Sequence, residues 1–386
     1  MHEKKTHITA VEQFDLFPSA KRPKDIWDAC KQGDLEFVKD FHASGGDLHN
    51  AKTKGYLKPI FIATRDRHSH VCEYLGLNGC YAFETSSFNT QFSALGQAIR
   101  MDNEGLFKTL LNSATEENIE KFFNGEDLCK HIVTAANAGT HTFLDTLQTM
   151  RQKRRKDLDA KNLLRMFCHA EASYNPSTVD FIEETFSLLS PTEAAEFLTK
   201  RDGRGCNEFY WACVFESESA VVFLLRHMNT QDIYDRVGGD ITPIYQTLRK
   251  CNLAIATRIV HHDPVRAMDV CDKMQNRPIH VACEMEGRHE FVKLFLPYCV
   301  GRLNEVNEDG DTPLHLACRN SATKVEMLLE TGEVDTLKPN GEGKTVFDLE
   351  VSSEVWDLLC EHPITSFYYR NQTDAGQLER SSQVGT

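Results

Sequence analysis

An internal repeat of about 35 residues restricts the possible folds of this chain more than any other feature of its sequence. The clearest copy begins at 309–318 as Asp-Gly-Asp-Thr-Pro-Leu-His-Leu-Ala-Cys, continues with an apolar stretch at 325–329 and ends with Thr-Gly at 331–332. Related starts occur about one period earlier, at Pro278, and about two periods earlier, at Thr242. Units of this length bury their apolar faces only against their neighbours, so the repeat predicts a stacked array instead of one globular core.

The start of the clearest copy suits a tight turn that leads directly into a helix. Gly310 fits a turn position with positive φ, because glycine has no Cβ. Thr312 is a good N-cap, and Pro313 at the first helical position sacrifices no hydrogen bond. Ala317 is small enough for a neighbouring helix to approach, and Leu328 belongs to a second apolar helix. The unit is therefore predicted to be a turn followed by two helices.

Less complete copies of this pattern cover most of the chain. Each has a short apolar stretch that is followed, about eight residues later, by apolar positions at helical spacing. We count roughly ten units between residues 24 and 360. The further copies are centred at 26–30, 59–63, 94–98, 132–135, 164–172, 209–213 and 343–349, of which 164–172 fits the period only loosely.

The copy at 309–340 closely resembles the ankyrin repeat, whose signature is Gly-x-Thr-Pro-Leu-His-x-Ala. The resemblance implies an all-α ankyrin-repeat solenoid of about ten helix-turn-helix units with short hairpin loops. It is clearest in 274–349 and most divergent in 125–205. A tetratricopeptide array would also pair helices near this period, but it does not explain the junction between hairpin and helix.

The predicted domain boundaries follow from where the pattern starts and stops. Residues 1–23 have few periodic apolar positions and are predicted to be a flexible segment, residues 24–360 form the array, and the polar residues 361–386 are predicted to be a frayed tail. Two stretches, 150–161 and 188–206, add residues between units and are predicted to be extended helices or protruding loops.

The composition argues against several classes of partner. The formal net charge of −14 at pH 7 repels phosphate backbones and anionic lipids, so we expect neither nucleic acid nor a membrane as ligand. No stretch approaches the roughly 20 apolar residues of a transmembrane helix. The 13 cysteines have no paired spacing and follow no export signal. We therefore expect reduced thiols in a monomeric protein of the cytoplasm or the nucleus.

Two motifs resemble ligand sites but fit the repeat better. Gly-Glu-Gly-Lys-Thr at 341–345 resembles the end of a phosphate-binding loop, yet Lys338 stands where the first glycine is required. The motif also coincides with the turn position of Gly310. His-Ser-His-Val-Cys at 68–72 contains metal ligands, but no second cluster lies at finger-like spacing. We therefore predict no cofactor and no metal.

Histidines and cysteines recur at fixed positions of the unit. His280 and His315 share a position that Tyr210 and Tyr245 occupy elsewhere, and the resemblance implies that this histidine bonds the backbone between repeats. No Gly-x-Ser-x-Gly elbow or dinucleotide fingerprint occurs, so we predict that the chain is not an enzyme. Four Ala-Cys pairs are predicted to hold small buried thiols, and they end in Cys30, Cys213, Cys283 and Cys318.

Two basic features each have a functional and a structural interpretation. The run Arg-Gln-Lys-Arg-Arg-Lys at 151–156 is either a nuclear-import signal or patch for an acidic partner, or a solvated helix face or loop. The other feature is either a basic stripe for a partner or a helix position that tolerates any polar residue. It consists of residues that share one repeat position, namely Lys31, Arg65, Arg100, Arg249 and Arg319.

The resemblance also implies where a partner would bind, because hairpin tips and the exposed side of the first helix form the concave face of ankyrin arrays. Four of the implied contact residues are apolar where solvent is expected, namely Phe215, Ile241, Met274 and Met285. Exposed apolar groups usually mark interfaces. The complete predicted set, carried over unit by unit, is Arg204, Phe215, Ile241, Arg249, Lys250, Met274, Glu284, Met285, Asp311 and Arg319.

The sequence favours a protein-protein interaction module or scaffold that binds a protein or peptide on its concave face. One alternative is a regulatory or inhibitory subunit of a partner enzyme. Another is a viral or pathogen factor that targets a host protein, since divergent ankyrin-like repeats also occur in such proteins. An enzyme hidden in 125–205 would need a pocket of converging polar groups, which the sequence does not indicate.

Overall fold

The computed structural model describes residues 23–49, 58–83, 93–124, 126–153, 159–234 and 242–361. These residues form 23 α-helices and no β-strand, which confirms the predicted all-α class. The chain divides into two compact units, Met1–Lys156 and Asp157–Thr386. None of the described helices combines the length and the apolar character needed to cross a membrane.

The first unit contains four helix pairs in its described residues, and an additional helix, α7 (Glu116–Asn124), precedes the fourth pair. The first helices of successive pairs pack side by side, and so do the second helices. The first helices are α1 (Ile26–Gln32), α3 (Pro59–Arg65), α5 (Ala94–Arg100) and α8 (Glu126–Asn137). The second helices are α2 (Leu35–Ala43), α4 (Ser69–Leu77), α6 (Glu104–Ser113) and α9 (His141–Lys153).

The second unit contains six pairs in its described residues, stacked in the same two rows. The first helices are α10 (Ala160–Cys168), α13 (Glu208–Val214), α16 (Pro243–Lys250), α19 (Pro278–Glu284) and α21 (Pro313–Asn320), followed by a 3₁₀ turn, Val346–Asp348. The second helices are α11 (Pro176–Ser187), α14 (Glu218–His227), α17 (Leu253–His262), α20 (His289–Phe295), α22 (Ala322–Glu330) and α23 (Ser353–Glu361). Short additional helices precede several turns, namely α12 (Pro191–Thr199), α15 (Thr230–Tyr234) and α18 (Pro264–Asp269). The number of repeats, about ten, stays a prediction.

Local sequence explains where the first helices begin. In α21, the Thr312 hydroxyl accepts a hydrogen bond from the backbone N–H of His315, and Pro313 is the first helical residue, as predicted. Proline also opens α3, α16 and α19. The small residue of the packing face is fully buried in most pairs, which lets adjacent first helices come close. These alanines are Ala29, Ala63, Ala98, Ala212, Ala282 and Ala317.

One backbone conformation is shared by four turns that the structure describes in the second unit, at 202–206, 272–276, 307–311 and 340–344. The N–H of the first residue donates to the carbonyl of the fifth, as in 307–311 and 340–344, and the fourth residue has a positive φ. Gly310 is that fourth residue, with φ of 75°, and a Cβ on it would lie 2.3 Å from the backbone nitrogen of Gly341. Its predicted turn role is therefore confirmed. Asp-Lys-Met-Gln-Asn at 272–276 forms the same turn with Gln275 at the strained position.

Several predictions concern residues that the structure describes only in part. The stretch 188–206 contains helix α12, which agrees with an inserted helix between units. The basic run at 151–156 continues the backbone of α9 as far as Lys153, and the rest of it lies outside the described residues. The predicted flexible segment 1–23 and tail 361–386 lie almost entirely outside them as well, so those predictions stay open.

Candidate partner-binding surface

The first helices and the turns that precede them form one surface of the second unit, which we call the first-helix face. Arg204, Arg249, Lys250 and Glu284 are exposed there, whereas Met285 is half-buried. Phe215 and Met274 expose 38% and 36% of their surface, so both present apolar groups on this face. Ile241 lies outside the described residues.

Asp311 lies at a different depth from the other predicted contacts. It is only 4% exposed, and its carboxylate accepts hydrogen bonds from Arg319 Nη2 at 3.2 Å and from Asn340 Nδ2 at 2.9 Å. Burial alone would raise the pKa of Asp311, but these bonds lower it below its ordinary value. This corrects its place among the exposed contacts, because the residue that closes the turn points inward, towards the next repeat.

The basic residues that share one repeat position have different environments. Arg319 is bound to Asp311, Arg65 pairs with Asp66 at 2.8 Å, and the Arg100 guanidinium donates to Gln97. All of them lie in the last turn of a first helix, where a cation interacts favourably with the helix dipole. For these members the structural interpretation is sufficient.

Three rings from two adjacent first-helix segments form an aromatic platform, which we define as His169, Trp211 and Phe215. His169 stacks on Phe215 with ring centroids 5.3 Å apart and planes 19° from parallel. Trp211 lies 5.9 Å from Phe215 and 5.7 Å from His169. Only Phe215 was identifiable from the repeat register, because the contribution of His169 depends on how α10 packs on α13.

Hydrogen bonds hold two of these rings in place. The Trp211 indole N–H donates to the carboxylate of Asp202 at 3.1 Å. His169 Nε2 lies 3.1 Å from the carboxylate of Glu208, whose other oxygen accepts from Arg165 Nε at 3.0 Å. Glu208 is buried, so its hydrogen bond to His169 holds the imidazole ring in place.

The repeated histidines are structural. His280 Nε2 donates to the carbonyl of Glu305 at 3.1 Å, and His315 Nε2 donates to that of Lys344 at 3.2 Å, which confirms the predicted backbone bonds between repeats. Burial lowers the pKa of His280 to about 4 and also lowers that of His315. Both rings are therefore neutral donors at neutral pH.

Side chains near the start of the second helix link successive repeats, which the sequence did not reveal. His68 Nε2 and His70 Nε2 lie 2.9 Å from the carbonyls of Lys31 and Gly33, which accounts for the metal-like motif. No group of three or more potential metal ligands converges in the described residues.

Lys324 provides the corresponding link in the second unit. Its ammonium donates to the carbonyl of Cys283 at 3.2 Å and to that of Met285, and its side chain is buried. Burial lowers the pKa of Lys324. No sequence signal identifies this lysine, because a lysine in a helix is normally expected on the solvent side.

The remaining motifs behave as parts of the repeat. The Asn340 N–H donates to the carbonyl of Lys344, so the glycine-rich sequence at 341–345 is a turn, as predicted. The thiols of the Ala-Cys pairs are buried, and burial raises the pKa of Cys30, Cys283 and Cys318 to about 12.

A cleft of about 450 Å³ beside the turn at 272–276 is polar, and its Arg277 is paired with Asp269.

Comparison with known proteins adds the family of the clearest repeats. Residues 248–340 match the family model of ankyrin repeats, in three copies. The solved structure of "Bd0816 Predatory Endopeptidase from Bdellovibrio bacteriovorus in complex with immunity protein Bd3460" is similar with a TM-score of 0.38 and 16% identity, over 50% of this chain and 91% of that one. Ankyrin repeats present extended surfaces to protein partners, so residues 248–340 constitute a protein-interaction module.

Proposed function

We propose, because residues 248–340 are ankyrin repeats, that this protein is a scaffold or adaptor that binds a protein or peptide on its first-helix face. The observation that carries the proposal is the exposure of Phe215 and Met274 on that face. A partner that covers these two side chains would remove their apolar surface from water, which favours binding. The surface corresponds to the concave face of ankyrin arrays.

In this proposal the chain acts by binding and not by catalysis. Support comes from the groups that would otherwise suggest chemistry, since His280, His315 and the buried thiols are engaged in packing between repeats. Free thiols throughout the described residues support a reducing compartment, the cytoplasm or the nucleus. A regulatory subunit of an enzyme, or a viral or pathogen factor, would use the same face, and the identity of the captured partner distinguishes them.

Affinity capture followed by mass spectrometry tests the proposal. The full chain and its Phe215→Ala, Met274→Ala and Met285→Ala variants would be used as baits, with Leu188→Ala as control, because Leu188 is 63% exposed on the loop before α12. We expect the partner to be lost with variants of the face and kept with the control, at unchanged melting temperatures. Capture of a stoichiometric partner by all four variants would place the binding site elsewhere.

A further inference from the structure

We propose that the aromatic platform, together with Arg204 and Arg249, receives an acidic segment of the partner that carries one apolar side chain. This rests on the proposed function as a binding module and adds the chemistry of the ligand. The platform would contact the apolar side chain, and the two arginines would contact carboxylates on the same segment.

The carboxylates close to the platform are already engaged. Glu208 is bound by Arg165 and His169. Asp202 accepts backbone N–H groups of its own turn at 2.8 and 2.9 Å in addition to the Trp211 indole. Both carboxylates therefore bind groups of the protein itself, and Asp202 also interacts electrostatically with Arg204 of the same turn.

Glu216, two residues after the end of α13, is also engaged. It accepts a hydrogen bond from Asn252 at 3.1 Å and lies 3.8 Å from the ammonium of Lys250. Lys250 is thus partly compensated, whereas no carboxylate of the described residues forms an ion pair with Arg204 or Arg249.

The guanidinium groups of Arg204 and Arg249 form no hydrogen bond or ion pair with any residue that the structure describes. Both act electrostatically on the hydroxyl of Tyr210, which also accepts a hydrogen bond from Gln246 of α16 at 3.0 Å. Tyr210 in turn packs edge-on against Trp211, with ring centroids 5.5 Å apart. The two positive charges therefore lie in elements adjoining the aromatic platform, the turn before α13 and the end of α16.

This combination selects an anion with an apolar group. Hydrogen bonds hold His169 and Trp211 in place before any ligand arrives, so these two rings lose little freedom on binding. A cationic ligand would be repelled by two unpaired guanidinium groups, although aromatic surfaces can bind cations. Nucleic acid is disfavoured because the net charge of −14 opposes its many phosphates, whereas a short segment with a few carboxylates meets only the local field.

Fluorescence anisotropy with defined peptides tests this inference. The probe is a labelled peptide, Gly-Ser-Asp-Asp-Phe-Asp-Asp-Ser-Gly, compared with a peptide in which lysine replaces every aspartate and with one in which alanine replaces phenylalanine. An oligothymidylate of similar length tests nucleic acid. We expect the acidic peptide to bind best and its affinity to fall by roughly tenfold between about 50 mM and about 300 mM salt.

Variants of the full chain then assign the binding. The Arg204→Glu and Arg249→Glu double variant and the Phe215→Ala variant are expected to weaken binding of the acidic peptide by about tenfold or more. The matched controls are Lys293→Glu, on the exposed side of α20, and Leu188→Ala, and both should bind like the unaltered chain. Circular dichroism melting checks that each variant is folded.

Several outcomes would overturn the inference. These are no saturable binding of the acidic peptide up to about 1 mM, equal binding of the lysine peptide, equal effects in the control variants, or tighter binding of the oligothymidylate. If the cellular partner is captured equally by the chain and by the double arginine variant, the ligand chemistry is wrong while the binding function stands. If no partner is captured by any form of the chain, the proposed function itself fails.

Discussion

Arg319 has two possible roles, and its contacts distinguish them. The sequence places it among the partner contacts, whereas the structure binds it to buried Asp311. We therefore expect Arg319→Glu to bring two carboxylates together and to lower the free energy of unfolding by about 2 kcal/mol. Arg249→Glu is the matched control, because Arg249 has the same repeat position and its guanidinium has no partner in the described residues. This change should alter stability by less than about 0.5 kcal/mol. Chemical denaturation measures the free energy of unfolding of both variants, and an equal decrease in the two would contradict this assignment.

Gln275 occupies the one turn position in 272–276 that favours glycine. Its φ is 57°, while Gly310 and Gly343 have φ of 75° and 76° at the equivalent positions. A side chain in this conformation costs about 1 kcal/mol, so Gln275→Gly should raise the free energy of unfolding by roughly that amount. The reverse change, Gly310→Gln, should lower it by more, since a Cβ there meets the backbone of Gly341. Thermal melting of both variants gives the comparison, and a lower melting temperature for Gln275→Gly would show that the side chain stabilises the turn.

The role of a residue could be predicted from the residues around it when its contacts lie within its own repeat. The cap at Thr312 and the turn at Gly310 follow from positions within one unit, and the structure confirms both. The bond of His280 between repeats was implied by the resemblance to ankyrin repeats, and it is confirmed as well. The buried ammonium of Lys324 depends on carbonyls contributed by the previous repeat. The aromatic platform likewise depends on the packing of α10 on α13, so the sequence identified only one of its rings, Phe215.

At the scale of elements, the histidine between two repeats makes stability depend on pH. His280 has a folded-state pKa of about 4 and an ordinary value of 6.5. Below pH 6.5 His280 is protonated in the unfolded chain but stays neutral in the folded chain. The stability that depends on neutral His280 is therefore complete above pH 6.5 and is lost as the pH falls towards 4. His280 alone should therefore lower the free energy of unfolding by about 2 kcal/mol between pH 7 and pH 5.

The change His280→Tyr isolates this contribution. Tyr245 occupies the equivalent position one repeat earlier, and its hydroxyl donates to the carbonyl of Asn276 at 2.5 Å, so tyrosine can replace the histidine bond. We expect the variant to retain more of its stability at pH 5 than the unaltered chain, measured by urea unfolding at both pH values. Identical pH dependence of the two proteins would mean that His280 is protonated in the folded state.

The inserted elements were the least predictable part of the fold. The stretch 188–206 was recognised as extra sequence, but whether it forms a helix or a loop depends on what it can bury. Helix α12 begins with a Ser190–Glu193 capping box and buries only Phe197. One buried residue leaves no apolar periodicity in the sequence, so the formation of this helix depends on how it packs. The additional helices α15 and α18 are five and six residues long, which is too short to leave a periodic signal.

At the scale of the whole molecule, the second unit should not open uniformly. Its turns at 272–276, 307–311 and 340–344 are joined by side-chain bonds, Asn307 to Asn276 and Asn340 to Asp311, each at 2.9 Å. Stability in a repeat array is the sum of each unit and its interfaces, so 274–349 should be the most protected part and 159–206 should open first. Hydrogen exchange followed by mass spectrometry measures this directly, with slow exchange expected in α19 and α21 and fast exchange in α12. Uniform protection would mean that the divergent repeats couple as strongly as the regular ones, and that incomplete signatures do not weaken the interfaces between them.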